Sequence, residues 1–155
     1  VTTRPASPFL KTIVVGTDFS VCSARALSYA VSLAVSQNAR LHILHVLTEP
    51  VQPLDVVGAL PYIDAGTRTE WQKTAEDRLG KECRAAEKRG VKSGCEVLWG
   101  RPSDALVERA EGMKASLLVI GTHGRSAIEQ LLLGSTAERI VRRSTVPVLT
   151  VREKR

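Results

Sequence analysis

The sequence predicts an α/β fold, a doubly wound open parallel sheet of five strands with helices on both faces. Two observations point there. Short apolar runs alternate along the chain with segments whose apolar residues recur at helical spacing. Two of those runs, 12–16 and 116–120, end in or just before a glycine that leads toward the next helix. Strands that alternate with helices make parallel sheets covered on both faces. Right-handed crossovers restrict the topology to a doubly wound sandwich.

The elements follow in order. Residues 12–16, Thr-Ile-Val-Val-Gly, read as a buried strand. A helix over 20–36 follows, with Ser20 as N-cap and Ala24, Leu27, Ala30, Val31 and Ala34 on its apolar stripe. Residues 41–47 are the second strand; His42 and His45 on it are an odd number apart, so they point to opposite faces and are no metal pair. The longest helix spans 69–89, its stripe Trp71, Ala75, Leu79, Cys83 and Ala86, and Gly90 stops it. Strand three covers 95–99. Gly100-Arg101-Pro102 turns the chain into a helix over 103–112, with Leu106, Ala110 and Met113 inward. Strand four is 116–120. A helix over 136–143 presents Ala137, Ile140 and Val141 to the core, and 146–151 is the last strand. Trp71 and Trp99 read as core or edge packing.

The connection over 48–66 is long and carries Pro50, Pro53, Gly58, Pro61 and Gly66. Unstructured loops of that length in compact domains are usually functional or mobile. It reads as a flap over the ligand, with room for a short helix over 54–60. Residues 1–10 read as a flexible arm ahead of a single domain over 11–155, and they lack the apolar core of a signal peptide.

Composition narrows the function. No apolar run approaches the length that crosses a bilayer. The three cysteines, Cys22, Cys83 and Cys95, lack metal-ligand spacing and read as small buried apolar residues in a reducing cytoplasm. The net charge is +6, with Arg139, Arg142, Arg143, Arg152, Lys154 and Arg155 gathered near the C-terminus. Aromatics are only 4%, too few for a base-stacking platform, so the basic face speaks against nucleic acid and for solvent.

The chemistry concentrates after strand four. The run Ser116-Leu117-Leu118-Val119-Ile120 ends in Gly121-Thr122-His123-Gly124, and Gly134-Ser135-Thr136 follows at the head of a helix. The spacing is G-x2-G-x9-G-S. Glycine lets a ligand approach the backbone, and free N–H groups at a helix start attract phosphate. Ser135 serves as N-cap whether or not phosphate is present. No Gly-Lys-Ser/Thr ending occurs, so this is no Walker loop. The first strand-helix turn, Gly16-Thr17-Asp18-Phe19-Ser20, lacks G-x-G-x-x-G, which disfavours a dinucleotide site. Asp18 has a simpler reading as a cap for the following helix. His123 reads as an exposed loop histidine, with no nucleophile or acid implied beside it.

The glycine spacing, the ending Gly134-Ser135-Thr136-Ala137-Glu138-Arg139-Ile140, the segment Val14-Val15-Gly16-Thr17-Asp18-Phe19-Ser20, Gly100-Arg101-Pro102 and Val146-Pro147-Val148 together resemble the universal stress protein family, in its ATP-binding branch. The resemblance covers nearly the whole chain after residue 10, with 48–66 a poor match. It implies strand order 3-2-1-4-5, which brings the turn after strand one beside the glycine loop. It implies Thr17 and Asp18 near adenine and ribose, Val46 against adenine, and Ile120 and Gly121 on the ribose side. Gly124, Arg125, Gly134, Ser135 and Thr136 would surround the phosphates. The implied ligand is ATP, with magnesium or manganese able to arrive on its phosphates. The family pattern also implies a homodimer through the last strand, 146–151, which is too apolar for a guarded edge, and a further protein partner of unknown identity. The expected function is nucleotide-dependent stress signalling without catalytic residues. The alternatives are an interaction module of the same fold with an empty site, and a slow ATP hydrolase.

Overall fold

The computed structural model describes residues 9–49, 64–123 and 133–152. Nine elements alternate: β1 Thr12–Gly16, α1 Val21–Gln37, β2 Arg40–Leu47, α2 Ala65–Glu87, β3 Ser93–Trp99, α3 Pro102–Gly112, β4 Leu117–Gly121, α4 Ser135–Arg143 and β5 Val148–Val151. The sheet order is β3-β2-β1-β4-β5, every pair parallel. The doubly wound sheet of the sequence reading is therefore present. Consecutive strands β1 and β2 pair on one side while β1 pairs β4 on the other, so the chain reverses direction between β1 and β4.

Each sheet face carries its own core. Ile13, Val15, Leu41, Ile43 and Val119 pack against Ala26, Ala30, Ala34, Leu79 and Cys83 of α1 and α2. Val14, Leu44, Leu118 and Ile120 pack against Leu106, Ala110, Ala137 and Ile140 of α3 and α4. Strict alternation along β1 explains the division, since neighbouring side chains point to opposite faces. Ile13, Val14, Val15, Leu118 and Val119 are wholly buried, as central strands covered on both faces must be.

Several boundaries differ from the sequence reading. Helix α2 begins at Ala65, four residues before the expected start. Asp64 is its N-cap, accepting from the Thr67 N–H at 2.9 Å, so Gly66 lies inside the helix and not in the loop. Strand β5 begins at Val148, not at 146. The Ser144 hydroxyl receives the Val146 N–H and donates to the Val146 carbonyl, and Pro147 has no N–H, so the strand cannot start earlier. Val146 itself is buried in the core. On α1 the inward set is Cys22, Ser23, Ala26, Ala30, Val31 and Ala34; Ala24 faces solvent and Leu27 is half-buried. On α3, Val107 is buried with Leu106 and Ala110, while Met113 packs at the rim. Val141 of α4 faces out, as does Trp71 of α2. Trp99, at the end of β3, donates to Gln72 at 2.6 Å beneath the Arg68 guanidinium, 4.3 Å from its ring. Cys22 and Cys83 are buried as expected, but Cys95 is exposed because β3 is a sheet edge. The expected short helix over 54–60, residues 50–63 of the connection read as a flap, and residues 1–8 of the expected arm over 1–10 lie outside the described residues.

Candidate functional site

A cleft of about 560 Å³ opens at the carboxyl ends of the strands, between β1 and β4. This is where the direction of winding reverses, and ligands in open α/β sheets lie at such a crevice. Thr17, Asp18, Val46, Ile120, Gly121, Gly134, Ser135 and Thr136 all line it. Eight of the ten residues singled out in the sequence thus converge on one place, although Thr17 and Ser135 are far apart in the chain. Gly124 and Arg125 lie outside the described residues.

The floor and walls are apolar: Leu44, Val46, Leu106, Ile120, Ala137 and Ile140. Leu44 and Val46 reach it together because they are two apart on β2 and share a face. Only Val46 was expected. Leu44, Leu106 and Pro102 were missed as lining residues, although Gly100-Arg101-Pro102 was a signal for the last. Gly16 belongs to the lining too: a Cβ there would stand 2.8 Å from Leu106 Cδ1, so the bare backbone lets α3 close on β1.

The polar groups come from helix starts. First-turn residues of three helices line the cleft: Ser23 of α1, Pro102 of α3 and Ser135 of α4. Each helix start carries partial positive charge, and of the three only α1 has a side-chain cap, Ser20. Gly134, not Ser135, is the N-cap of α4, and no side chain caps that helix. Gly134 donates to the Thr122 carbonyl at 2.7 Å, and a Cβ on it would meet that same oxygen at 3.0 Å. That hydrogen bond ties the start of α4 to the end of β4 and aims the first turn into the cleft.

Gly121 has a reason the sequence did not disclose. A Cβ there would lie 3.0 Å from Cys22 Sγ and 3.2 Å from both the Cys22 carbonyl carbon and Ser23 N. The glycine is required by α1 pressing on the end of β4.

On the opposite wall, the turn after β1 is held by many hydrogen bonds. Thr17 N–H donates to the Leu44 carbonyl at 2.9 Å, and Thr17 Oγ1 accepts from the Phe19 N–H at 3.1 Å. His45 Nδ1 stands 2.8 Å from the Thr17 carbonyl; a carbonyl only accepts, so Nδ1 carries the proton. Phe19 sits at φ 62°, the left-handed region that a bulky residue avoids. Its ring is held there between His45, at 4.5 Å, and the Arg78 guanidinium, at 4.3 Å. Strain of this kind persists only where surrounding contacts over-determine it.

The Asp18 carboxylate accepts from the Ser20 N–H at 3.0 Å, while Ser20, not Asp18, caps α1 by accepting from Ser23 N–H. Burial works against the charge of Asp18, but hydrogen bonds from Ser20 and Ser23 outweigh it and hold the carboxyl below its usual range. Asp18 is therefore an anion at neutral pH, suited to accepting from hydroxyl groups. His123 is half-buried and lines the cleft, its Nδ1 2.9 Å from Thr122 Oγ1, rather than lying exposed in a loop. Among the described residues, no group of three or more His, Cys, Asp or Glu side chains is placed to hold a metal ion, and no helix is long and apolar enough to cross a membrane.

Comparison with known proteins assigns the ancestry of this arrangement. A family model described as the universal stress protein family matches residues 10–152. Universal stress protein MJ0531 of Methanocaldococcus jannaschii is 36% identical over 151 residues, spanning 97% of this chain and 86% of that protein. The solved structure of MJ0577, from the same organism, superposes with a TM-score of 0.82 at 24% identity, covering 95% of this chain and 99% of that one, and shares the fold. A universal stress protein solved in complex with cAMP superposes with a TM-score of 0.63 at 31% identity, covering 92% of this chain and 97% of that one.

Proposed function

The chain belongs to the universal stress protein family, and from that premise we propose that it is an ATP-binding, dimeric module of cytoplasmic stress signalling. The observation that carries this reading is the cleft, where apolar walls meet three helix starts and one ionised carboxylate. Val46 and Ile120 offer flat apolar contact to a purine. Asp18 accepts from ribose hydroxyls. Gly134 lets phosphates approach the backbone, and Ser135 and Thr136, in the first turn of α4, donate to them. A divalent cation, magnesium or manganese, rides on the phosphates and solvent. The 31% identical relative solved in complex with cAMP supports an adenine nucleotide as ligand.

Homodimerisation through the β5 edge fits the same picture. Val148 and Leu149 are half-exposed on an edge strand, where a second copy would cover them. Nucleotide occupancy would then alter the surface a protein partner reads. The test is to denature freshly purified protein and identify released nucleotide by chromatography and mass spectrometry, followed by calorimetric titration with ATP. About one ATP per chain, or saturable binding at one site, is the expected result. Absence of both would favour an interaction module with an empty cleft.

A further inference from the structure

We propose that His45 of β2 is a positioning residue for the nucleotide: its Nδ1 proton holds the Thr17–Asp18 peptide in the orientation that ligand binding needs, although His45 itself faces away from the cleft. The inference rests on the nucleotide reading of the cleft and adds to it a residue that governs affinity without touching the ligand.

Strand alternation sets the placement. Leu44 and Val46 line the cleft, so His45 between them points to the other face of the sheet, where Leu41 and Ile43 pack on α1 and α2. It is buried there, 8% exposed, beneath the turn that joins β1 to α1. Its Nδ1 stands 2.8 Å from the Thr17 carbonyl and, as the donor, ties that turn to β2. A second tie, from the Thr17 N–H to the Leu44 carbonyl at 2.9 Å, fixes the other side of the same residue.

The Thr17 carbonyl belongs to the peptide that leads into Asp18. In a trans peptide the C=O and N–H point in opposite directions, so a carbonyl held by His45 sets the direction of the Asp18 N–H as well. Asp18 is the carboxylate of the cleft wall, and Thr17 lines the cleft beside it. Beyond Asp18, Phe19 at φ 62° rests its ring on the same imidazole, at 4.5 Å. His45 therefore holds the residue on each side of Asp18, Thr17 by a hydrogen bond and Phe19 by ring contact. A bulky residue in the left-handed region relaxes unless its neighbours hold it. Arg78, on the other side of the Phe19 ring, is a long exposed side chain with rotamer freedom, so the buried imidazole is the rigid half of this clamp.

The two contacts of His45 are separable. Phenylalanine keeps the ring against Phe19 and deletes the donor. Asparagine deletes most of the ring and keeps the donor, because its amide nitrogen is the same number of bonds from the backbone as Nδ1. A Thr17 carbonyl left without its donor turns, and the Asp18 peptide turns with it. ATP must then restore that orientation as it binds, and the ordering lowers affinity.

The experiment measures ATP binding by calorimetry and urea unfolding by circular dichroism for the full chain, His45→Phe and His45→Asn, all near neutral pH. His45→Phe should weaken ATP binding about three- to tenfold, the factor that one hydrogen bond between neutral groups is worth. His45→Asn should bind within about twofold of the wild type, because the donor remains, even though the space left by the ring lowers its unfolding midpoint. Affinity that follows the donor and not the stability is the signature of positioning, since a merely structural histidine would lose both together. Equal loss of affinity in the two variants, or no loss in His45→Phe, overturns the proposal. Nitrogen-15 NMR of the wild-type imidazole gives a second test that needs no variant. The proton should sit on Nδ1 and exchange with solvent more slowly once ATP is bound, because coupling between two equilibria is reciprocal. An imidazole protonated only at Nε2, or an exchange rate that ATP leaves unmoved, overturns the proposal. If the wild-type chain binds no ATP, the nucleotide reading fails and this one with it; if it binds and affinity ignores the donor, only the role of His45 is lost.

Discussion

Replacing Gly121 by alanine separates two reasons for a glycine at the end of β4. The sequence suggests that a ligand needs the bare backbone, whereas the structure places α1 against it. The added Cβ would stand 3.0 Å from Cys22 Sγ, 3.2 Å from the Cys22 carbonyl carbon and 3.2 Å from Ser23 N. Carbon contacts are comfortable at about 3.5–4.0 Å, so the deficit is about half an ångström against atoms that cannot rotate away. Cys22 has no room to yield either, since it is 2% exposed and its thiol donates to the Val151 carbonyl. Relief requires moving α1 on the sheet, which disturbs Ala26 and Ala30 in the core. Overpacking of this kind costs about 1–3 kcal/mol. At about 2–4 °C per kcal/mol for a chain of this size, the melting temperature should fall by about 2–12 °C. Urea unfolding followed by circular dichroism measures the change, and the midpoint should drop with an unchanged m-value. Adding Cys22→Ala removes only the sulfur contact, so it should recover part of the loss and not all of it. A Gly121→Ala variant that unfolds at the wild-type midpoint and yet loses ATP would refute the packing argument and return the glycine to the ligand.

Three further outcomes follow from the same contacts. Leu118→Ala, at a wholly buried position in the central sheet, should cost about 2–5 kcal/mol in urea unfolding, and a loss below about 1 kcal/mol would mean that the site collapses on itself. Asp18→Asn should cost at most about 1 kcal/mol near neutrality, because the carboxylate is half-exposed and screened. The folded-state carboxyl titrates below its ordinary 3.8, so its stabilisation is complete above the unfolded value and disappears as pH falls through the folded one. Stability curves for the two proteins should therefore converge in acid, and a gap that widens there would contradict the assignment. Val148→Lys places a charge on the half-exposed β5 edge and should shift sedimentation from dimer to monomer at micromolar concentration; a dimer that survives would locate the interface elsewhere.

The order of strands and helices was legible because each element advertises itself locally. A continuous apolar run such as 116–120 or a stripe such as Leu79, Cys83 and Ala86 needs only its own neighbours to be recognised. The cleft was legible for a related reason. The turn after strand one and the glycines after strand four end adjacent strands, and winding about those strands brings such ends together. Elements with weak local signals were misjudged. The first turn of α2 is polar and contains Gly66, so its start depended on recognising Asp64 as a cap. Val146 resembles a strand residue, yet Ser144 takes both of its backbone groups. Buried Ser23 was overlooked because it is polar, and small Ala24 was misplaced because an alanine sits equally well on either face.

By itself, then, the sequence determined the alternation of elements and the two-faced core, and through its family resemblance it pointed to eight of the residues that line the cleft. Tertiary structure alone decided which atoms meet across long separations. Cys95 is exposed because β3 lies at the edge of the sheet, which no local pattern records. Gly121 must be a glycine because α1 crosses the end of β4. The physical reason is the same throughout. Periodicity reports which way a side chain faces relative to its own backbone, whereas the partner it meets depends on strand order and register, which are settled only when the whole sheet packs.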